Sequence, residues 1–296
     1  MARSAQIKSQ LTSKRQQTML AVDFRRMFRT SRFWIMLMCA LVMPILILVM
    51  TTSMGGMTVT DPQTGVETTM EAFKSTWQII AEVAQPKSSM LSEPSAQSAD
   101  SFAEREAALP TGEGSAMAMD MTSMCNINLM YFLAGILICL FVADDFRSGY
   151  AKNLFTVRAK KTDYIVSKTL VGFVGGALFL MAFFIGAALG GGIAGLPFDL
   201  GAAGIGGLIM CMLAKISLMA VFAAIAVLVS VFAKQRAWLS VLLYLFGGML
   251  LFMMIPMMSP LNAGVMHVGL CLAGGALFAA GIGAVSGMVL SKTDLI

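Results

Sequence analysis

Long apolar runs alternate with short charged segments along most of the chain. The apolar runs fall at about 33–53, 126–143, 168–190, 203–232, 238–257 and 265–290. A helix needs roughly 20 apolar residues to cross the hydrocarbon of a bilayer. With 57% hydrophobic and only 12% charged residues, the chain cannot bury its apolar surface in one soluble core. The pattern predicts an all-α polytopic membrane protein with six transmembrane helices, the first at 33–53 and the other five within 126–296.

Residues 1–32 are polar and basic, and toward their end they become amphipathic. The apolar positions at helical spacing are Leu20, Phe24, Met27 and Phe28, and the opposite positions are Asp23, Arg25, Arg26 and Arg29. Such a pattern predicts an interfacial helix that lies in the headgroup layer and turns its arginines toward anionic lipid. A basic flank that only fixes topology explains the same residues equally well.

The segment 54–125 differs sharply in composition from the rest of the chain. It holds ten acidic residues against three basic ones and four prolines, and a helix is predicted over 71–83. Four methionines between 117 and 124 and Cys125 resemble a soft-metal cluster. Because methionine is abundant throughout the chain and there is only one histidine, no metal site is predicted.

Lysine and arginine are concentrated in a few segments. Residues 1–32 hold eight and residues 144–168 hold six, whereas the short segments 191–202 and 257–264 hold none. The positive-inside rule therefore predicts a multi-pass plasma-membrane protein with both termini in the cytoplasm, so that 54–125 forms a large extracytoplasmic domain between spans 1 and 2.

The charged segment 144–168 separates the second and third spans. Within it, Ala151, Leu154 and Phe155 recur at helical spacing, and Tyr150 stands beside them. This spacing predicts a short amphipathic helix at the membrane surface. A solvated loop whose basic residues only set topology is the alternative, but such a loop has no need of an apolar stripe.

Several residues of this segment follow a known order. An acidic pair ends the second span at Asp144 and Asp145, Gly149 follows, Leu154 with Phe155 forms an apolar pair, and Lys168 opens the third span. The segment resembles the loop between the second and third spans of permeases of type-two ATP-binding-cassette (ABC) exporters. It departs from many members at 157–161, where a proline is missing.

The resemblance implies a coupling helix that docks on an ATPase. The docking residues that it implies are Asp144, Asp145, Arg147, Tyr150, Leu154 and Phe155. It also implies two ATPase subunits and a second permease, identical or homologous. The chain has no phosphate-binding loop of the Gly-x-x-x-x-Gly-Lys-Ser/Thr type, so we expect it to be no enzyme and to bind no cofactor, with ATP and magnesium on the partner subunit.

Lys215 is the one ionisable residue deep within a predicted span. Such a charge suggests contact with an anionic substrate, although snorkelling or capping of carbonyl groups explains it as well. The possible substrate path is formed by Asn128, Phe132, Lys215 and Phe246. A path rich in Met and Phe suits an amphiphilic peptide or lipid-like cargo, and permeases of this layout often export antimicrobial peptides.

Two other classes of function remain open. A secondary transporter should show inverted hydropathy repeats and more acidic residues within its spans. A membrane sensor or scaffold would use the segment 54–125 to bind a ligand. The net charge of +5 reflects topology and contact with membrane lipids, and no basic surface interleaved with aromatics predicts nucleic-acid binding.

Overall fold

The structure, a computed structural model, describes residues 17–54, 58–60, 67–69, 127–156, 160–196, 204–252 and 264–292. Eight helices lie within these residues. They are α1 (17–29), α2 (Ser31–Met54), α3 (Leu129–Arg147), α4 (Tyr150–Thr156), α5 (Lys161–Ile193), α6 (Gly204–Ala233), α7 (Ala237–Phe252) and α8 (Val265–Lys292).

Five of the described helices are long and apolar enough to cross a membrane. They are α2, α3, α5, α6 and α8. The prediction of a helical polytopic membrane protein is therefore confirmed. The predicted span 238–257 corresponds to α7, which has 16 residues and is apolar but shorter than the other five. Because residues 253–263 lie outside the described residues, a crossing at 238–257, the fifth span along the chain, stays a prediction.

The segment predicted to form an extracytoplasmic domain contains a short β-pair, which the all-α prediction did not include. Strand β1 (Thr58–Thr60) pairs antiparallel with β2 (Glu67–Thr69), and Val59 lies opposite Thr68. The helix predicted over 71–83 and the cluster of methionines with Cys125 lie outside the described residues.

The helices form a bundle with a buried centre and an apolar exterior. Helices α3, α5 and α6 bury more than half of their apolar windows, whereas α2 packs on α5 and α8 packs on α6 with most side chains turned outward. Met266 and Leu277 of α8, for example, are 81% and 74% exposed. An apolar exterior of this kind suits contact with lipid rather than water.

The pairing of α2 with α5 depends on two glycines. A methyl group on Gly186 would overlap the carbonyl oxygen of Leu41 and the ring of Pro44, and one on Gly190 would lie 3.1 Å from the Cα of Ile45. Small residues allow two helix backbones to approach closely. Pro44 therefore lies at a tight helix contact, where Gly186 and Gly190 allow α2 and α5 to pack closely.

Candidate functional site

A sharp turn joins α3 to α4. The N–H of Ser148 donates to the carbonyl of Asp144 over 2.9 Å, and Gly149 then adopts a φ of 72°, in the left-handed region that favours glycine. The turn ends α3 and lets the chain start α4 at Tyr150 in a new direction. The positive φ at this position thus explains why the sequence motif has a glycine there.

Helix α4 has the amphipathic faces that the sequence predicted. Ala151 is buried, Lys152 and Asn153 are exposed, and Leu154 and Phe155 are half-buried. Both apolar side chains pack against the core of the same chain. The ring of Phe155 meets that of Tyr164 edge-on, with 5.5 Å between the ring centroids. The apolar stripe is therefore real, but part of it is covered by α5.

A buried ion pair ties the last turn of α3 to the early turns of α5. The Nζ atom of Lys168 lies 2.6 Å from Oδ2 of Asp145, and both side chains are fully buried. The hydroxyl of Tyr164 donates to the same carboxylate over 3.1 Å. The acidic residue and the lysine of the sequence motif are thus direct partners, on either side of α4.

Helix α1 completes this arrangement with two charges of its own. Lys168 donates to Oδ1 of Asp23 over 2.8 Å, and the hydroxyl of Ser167 donates to Oδ2 over 2.7 Å. The Nη1 atom of Arg26 lies 2.8 Å from Oδ1 of Asp145. We call Asp23, Arg26, Asp145 and Lys168 the ion cluster; it contains two positive and two negative charges.

The predicted orientation of α1 requires a correction. The sequence pattern placed Asp23 and Arg26 on a face turned toward lipid headgroups, but Asp23 is fully buried and Arg26 contacts α3. Arg25 and Arg29 are exposed, as predicted. Asp23 lies one turn before the buried Met27, so both face the bundle, and the carboxylate is stabilised there because a cation and a hydroxyl surround it.

Arg26 also contacts the first residue of α4. Its guanidinium lies over the ring of Tyr150, 4.0 Å from the ring centroid. Burial alone would lower the pKa of Arg26, but the charge of Asp145 and its polar contact outweigh burial and raise this pKa above its usual value. Burial, aided by the charge of Asp23, raises the pKa of Tyr150. The stack therefore joins a charged guanidinium to a neutral phenol, a favourable cation–π arrangement.

Four further charged residues at this end of the bundle are more open. Arg32 of α2 forms an ion pair of 2.7 Å with Asp144, and each side chain is about half-exposed. Arg147 is exposed. Lys161, at the start of α5, donates to the carbonyl of Leu290 over 2.8 Å and so caps the end of α8.

A second buried polar group joins α3 to α6. Lys215 is fully buried, and its Nζ atom lies 3.3 Å from Oδ1 of Asn128. The hydroxyl of Tyr131 donates to the carbonyl of Lys215 over 2.8 Å, and that of Tyr244 donates to the carbonyl of Tyr131 over 2.7 Å. Two members of the predicted substrate path, Asn128 and Lys215, are thus neighbours.

Of the other two members of that path, only Phe132 lies near this polar group. The ring of Phe132 meets that of Tyr244 at 6.4 Å between centroids, which places it beside the polar group. Phe246 is 70% exposed on the outside of α7. Within the described residues, no group of three or more His, Cys, Asp or Glu side chains could hold a metal ion.

Sequence reasoning missed the partners of the two motif residues. Arg26 and Tyr164 contact Asp145, Asp23 contacts Lys168, and Ser167 donates to Asp23. One signal was available, because Asp23 is the single acidic residue among the arginines of α1. A lone carboxylate among basic residues indicates a specific ionic partner more often than it indicates a solvated side chain.

The comparison with known families agrees with the geometry of the segment between α3 and α5. Residues 105–251, which contain α3 to α7, match the family described as ABC-2 family transporter protein. No curated protein and no solved structure matches the chain significantly. The matched part contains Asp145, α4 and Lys168, the features on which the resemblance was based. Over these residues the chain is similar to the ABC-2 family of transporter proteins, and this match supports a membrane-spanning permease subunit of an ABC-2 type transporter.

Proposed function

We propose that the chain exports an amphiphilic peptide or a lipid-like molecule, using ATP that a separate ATPase subunit hydrolyses. The observation that carries this proposal is the bracing of α4. This seven-residue helix stands between two spans whose ends are joined by the ion pair of Asp145 with Lys168. Because α4 is fixed to two spans, it can transmit a conformational change of a bound ATPase to the membrane-spanning helices.

The proposed docking surface consists of the outward side of α4 and its flanks. Lys152 and Asn153 are exposed, and Leu154 and Phe155 leave part of their side chains uncovered. Asp144 and Arg147 lie at the preceding turn and supply charges that orient a partner. Asp145 acts from inside, because its carboxylate is buried.

The proposed orientation puts this end of the bundle in the cytoplasm, together with both termini. The start of α5 and the end of α8 meet there through Lys161 and Leu290, and the start of α2 meets the end of α3 through Arg32 and Asp144. Basic residues thus gather at one end, as the positive-inside rule requires of cytoplasmic segments. Helix α7 would form the remaining span, the fifth along the chain.

We place cargo contact near Asn128, Phe132 and Lys215. A buried cation beside an amide and an aromatic ring suits a ligand that carries one anionic group on an apolar body. Two permease copies would complete the transport path. Trp238 and Phe246 give α7 an apolar outer surface, 67% and 70% exposed, which faces either lipid or the second copy.

The test is docking by the permease and an ATPase encoded beside it. The two chains are co-expressed, and their Kd and ATP hydrolysis are measured in detergent. Leu154→Ala with Phe155→Ala should weaken binding about thirtyfold, since losing an apolar interface anchor costs on the order of 2 kcal/mol. Transport coupled to ATP should fall with it.

The matched control is Leu129→Ala, an exposed leucine at the other end of α3. Because Phe155 also packs on Tyr164, the thermal stability of each variant is measured alongside binding. A double variant that binds the ATPase and transports like the parent would show that α4 is only a topology loop.

A further inference from the structure

We propose that Asp23 and Arg26 of α1 are positioning residues for α4 and act as one charge-balanced pair. The proposal rests on the proposed docking role of α4. It assigns to the N-terminal helix a role inside the permease, exerted through Tyr150, in addition to any contact with lipid.

The geometry gives the two residues different tasks. The pair of Asp145 with Lys168 holds α3 and α5 together at 2.6 Å, but neither side chain belongs to α4. Arg26 forms the connection, since it pairs with Asp145 at 2.8 Å and stacks on Tyr150 at 4.0 Å. The position of Tyr150, and with it the start of α4, is therefore set from α1.

Asp23 balances the charge that Arg26 brings. Helix α1 contributes one carboxylate and one guanidinium, three residues apart, and α3 with α5 contributes one carboxylate and one ammonium. Removing a single member leaves a buried charge without compensation, which is strongly destabilising. Removing Asp23 and Arg26 together leaves the neutral pair of Asp145 and Lys168. Folding and positioning can thus be separated by mutation.

Helix α1 has other contacts that keep it in place. Met27 is buried against Gly175, at 3.2 Å from the position of a methyl group there. The indole of Trp34 donates to the carbonyl of Phe28 over 2.7 Å, and the rings of Phe28 and Phe33 pack at 5.0 Å. A variant without the two charges should therefore retain a docked α1, although it loses the two ion pairs of α1 and the contact with Tyr150.

The first measurement uses the purified permease alone. Asp23→Asn and Arg26→Gln should each lower the Tm by about 5 °C or more, because each leaves one buried charge uncompensated. The Tm of the double variant should fall by less than that of the more destabilised single variant. Arg25→Gln, the same change at the exposed neighbouring position, is the control and should not shift the Tm.

The second measurement uses the complex with the ATPase. The double variant should bind the ATPase about tenfold more weakly and hydrolyse more ATP per transported molecule, although it is folded. Arg26→Lys keeps the charge but lacks the planar group that stacks on Tyr150, so it should give an intermediate loss of affinity at nearly parental Tm. A purely structural role for the pair predicts parental affinity in every variant with parental Tm.

The outcomes separate this proposal from the proposed function. If the α4 variant Leu154→Ala with Phe155→Ala loses the ATPase but the Asp23→Asn, Arg26→Gln double variant binds and couples normally, positioning from α1 is wrong. A double variant whose loss of Tm equals the sum of the single losses overturns the charge balance. If the α4 variant also binds normally, the docking function fails first and this proposal fails with it.

Discussion

Two lysines are buried in the helices that the structure describes, in contrasting surroundings. Lys168 lies within 2.8 Å of two carboxylates, and Lys215 lies 3.3 Å from the amide oxygen of Asn128. Both side chains are almost fully buried. Burial alone therefore does not distinguish a cation that holds helices together from one that we propose to meet a ligand.

The surroundings of the two lysines explain the difference. The charge of Lys168 is part of a neutral cluster that joins α1, α3 and α5, so removing it disturbs three helices at once. Lys215 contacts a neutral amide of α3, and the backbone carbonyl of Lys215 binds the hydroxyl of Tyr131. The side-chain contact described for Lys215 is thus with a neutral group, whereas those of Lys168 are with two carboxylates.

The largest effect is expected from Lys168→Met. Without the ammonium, two carboxylates share the single positive charge of Arg26, and breaking a buried ion network by removing one partner costs roughly 3–5 kcal/mol. We expect little folded protein, and a much lower Tm in what can be purified in detergent. Lys160→Met, at an exposed position just before α5, is the control. A parental Tm for Lys168→Met would remove the contrast between the two lysines.

Lys215→Met should have an effect on transport instead. Methionine fills a similar volume and carries no charge, so the cost of burying an ammonium disappears with the substitution. We expect a Tm close to the parent and basal ATP hydrolysis that persists, with transport of an anionic amphiphile reduced at least tenfold. Transport at the parental rate would leave Lys215 as a packing residue.

Lys161→Met gives the smallest effect and calibrates the other two. Its ammonium caps the carbonyl of Leu290 at a partly exposed site, and such a hydrogen bond contributes about 1 kcal/mol. We expect the Tm to fall by about 2–4 °C with binding and transport unchanged. A fall in Tm as large as that of Lys168→Met would mean that any lysine near the start of α5 contributes equally to stability.

The helices and the short helix α4 could be predicted from the sequence because their signals are local. Continuous apolar runs mark α2, α3, α5, α6 and α8, and helical spacing of Ala151, Leu154 and Phe155 marks α4. Lys168 and Asp145 were also identified, because each lies where an apolar run meets a charged segment. Their mutual contact was not predicted from the motif.

The partners of the site depend on distant parts of the chain. Asp23 and Lys168 are 145 residues apart, and Tyr131 reaches Lys215 across 84 residues. Periodicity in α1 separates apolar from charged positions, but it cannot show that one charged position finds a countercharge on another helix. For this reason Asp23 and Arg26 were placed on the wrong face, whereas Arg25 and Arg29 were placed correctly.

The close contact of Gly186 with Leu41 and Pro44 joins two helices that are synthesised at different times. Helix α2 leaves the ribosome well before α5, and at 5–20 residues per second the synthesis of the chain from Met54 to Lys161 takes on the order of 10 s. During that time α2 lies in the membrane without the helix against which it packs, and the charges of α1 have yet to meet Lys168. The N-terminal part of the permease must therefore be stable in the bilayer as a single span or a helical hairpin until the third span is inserted.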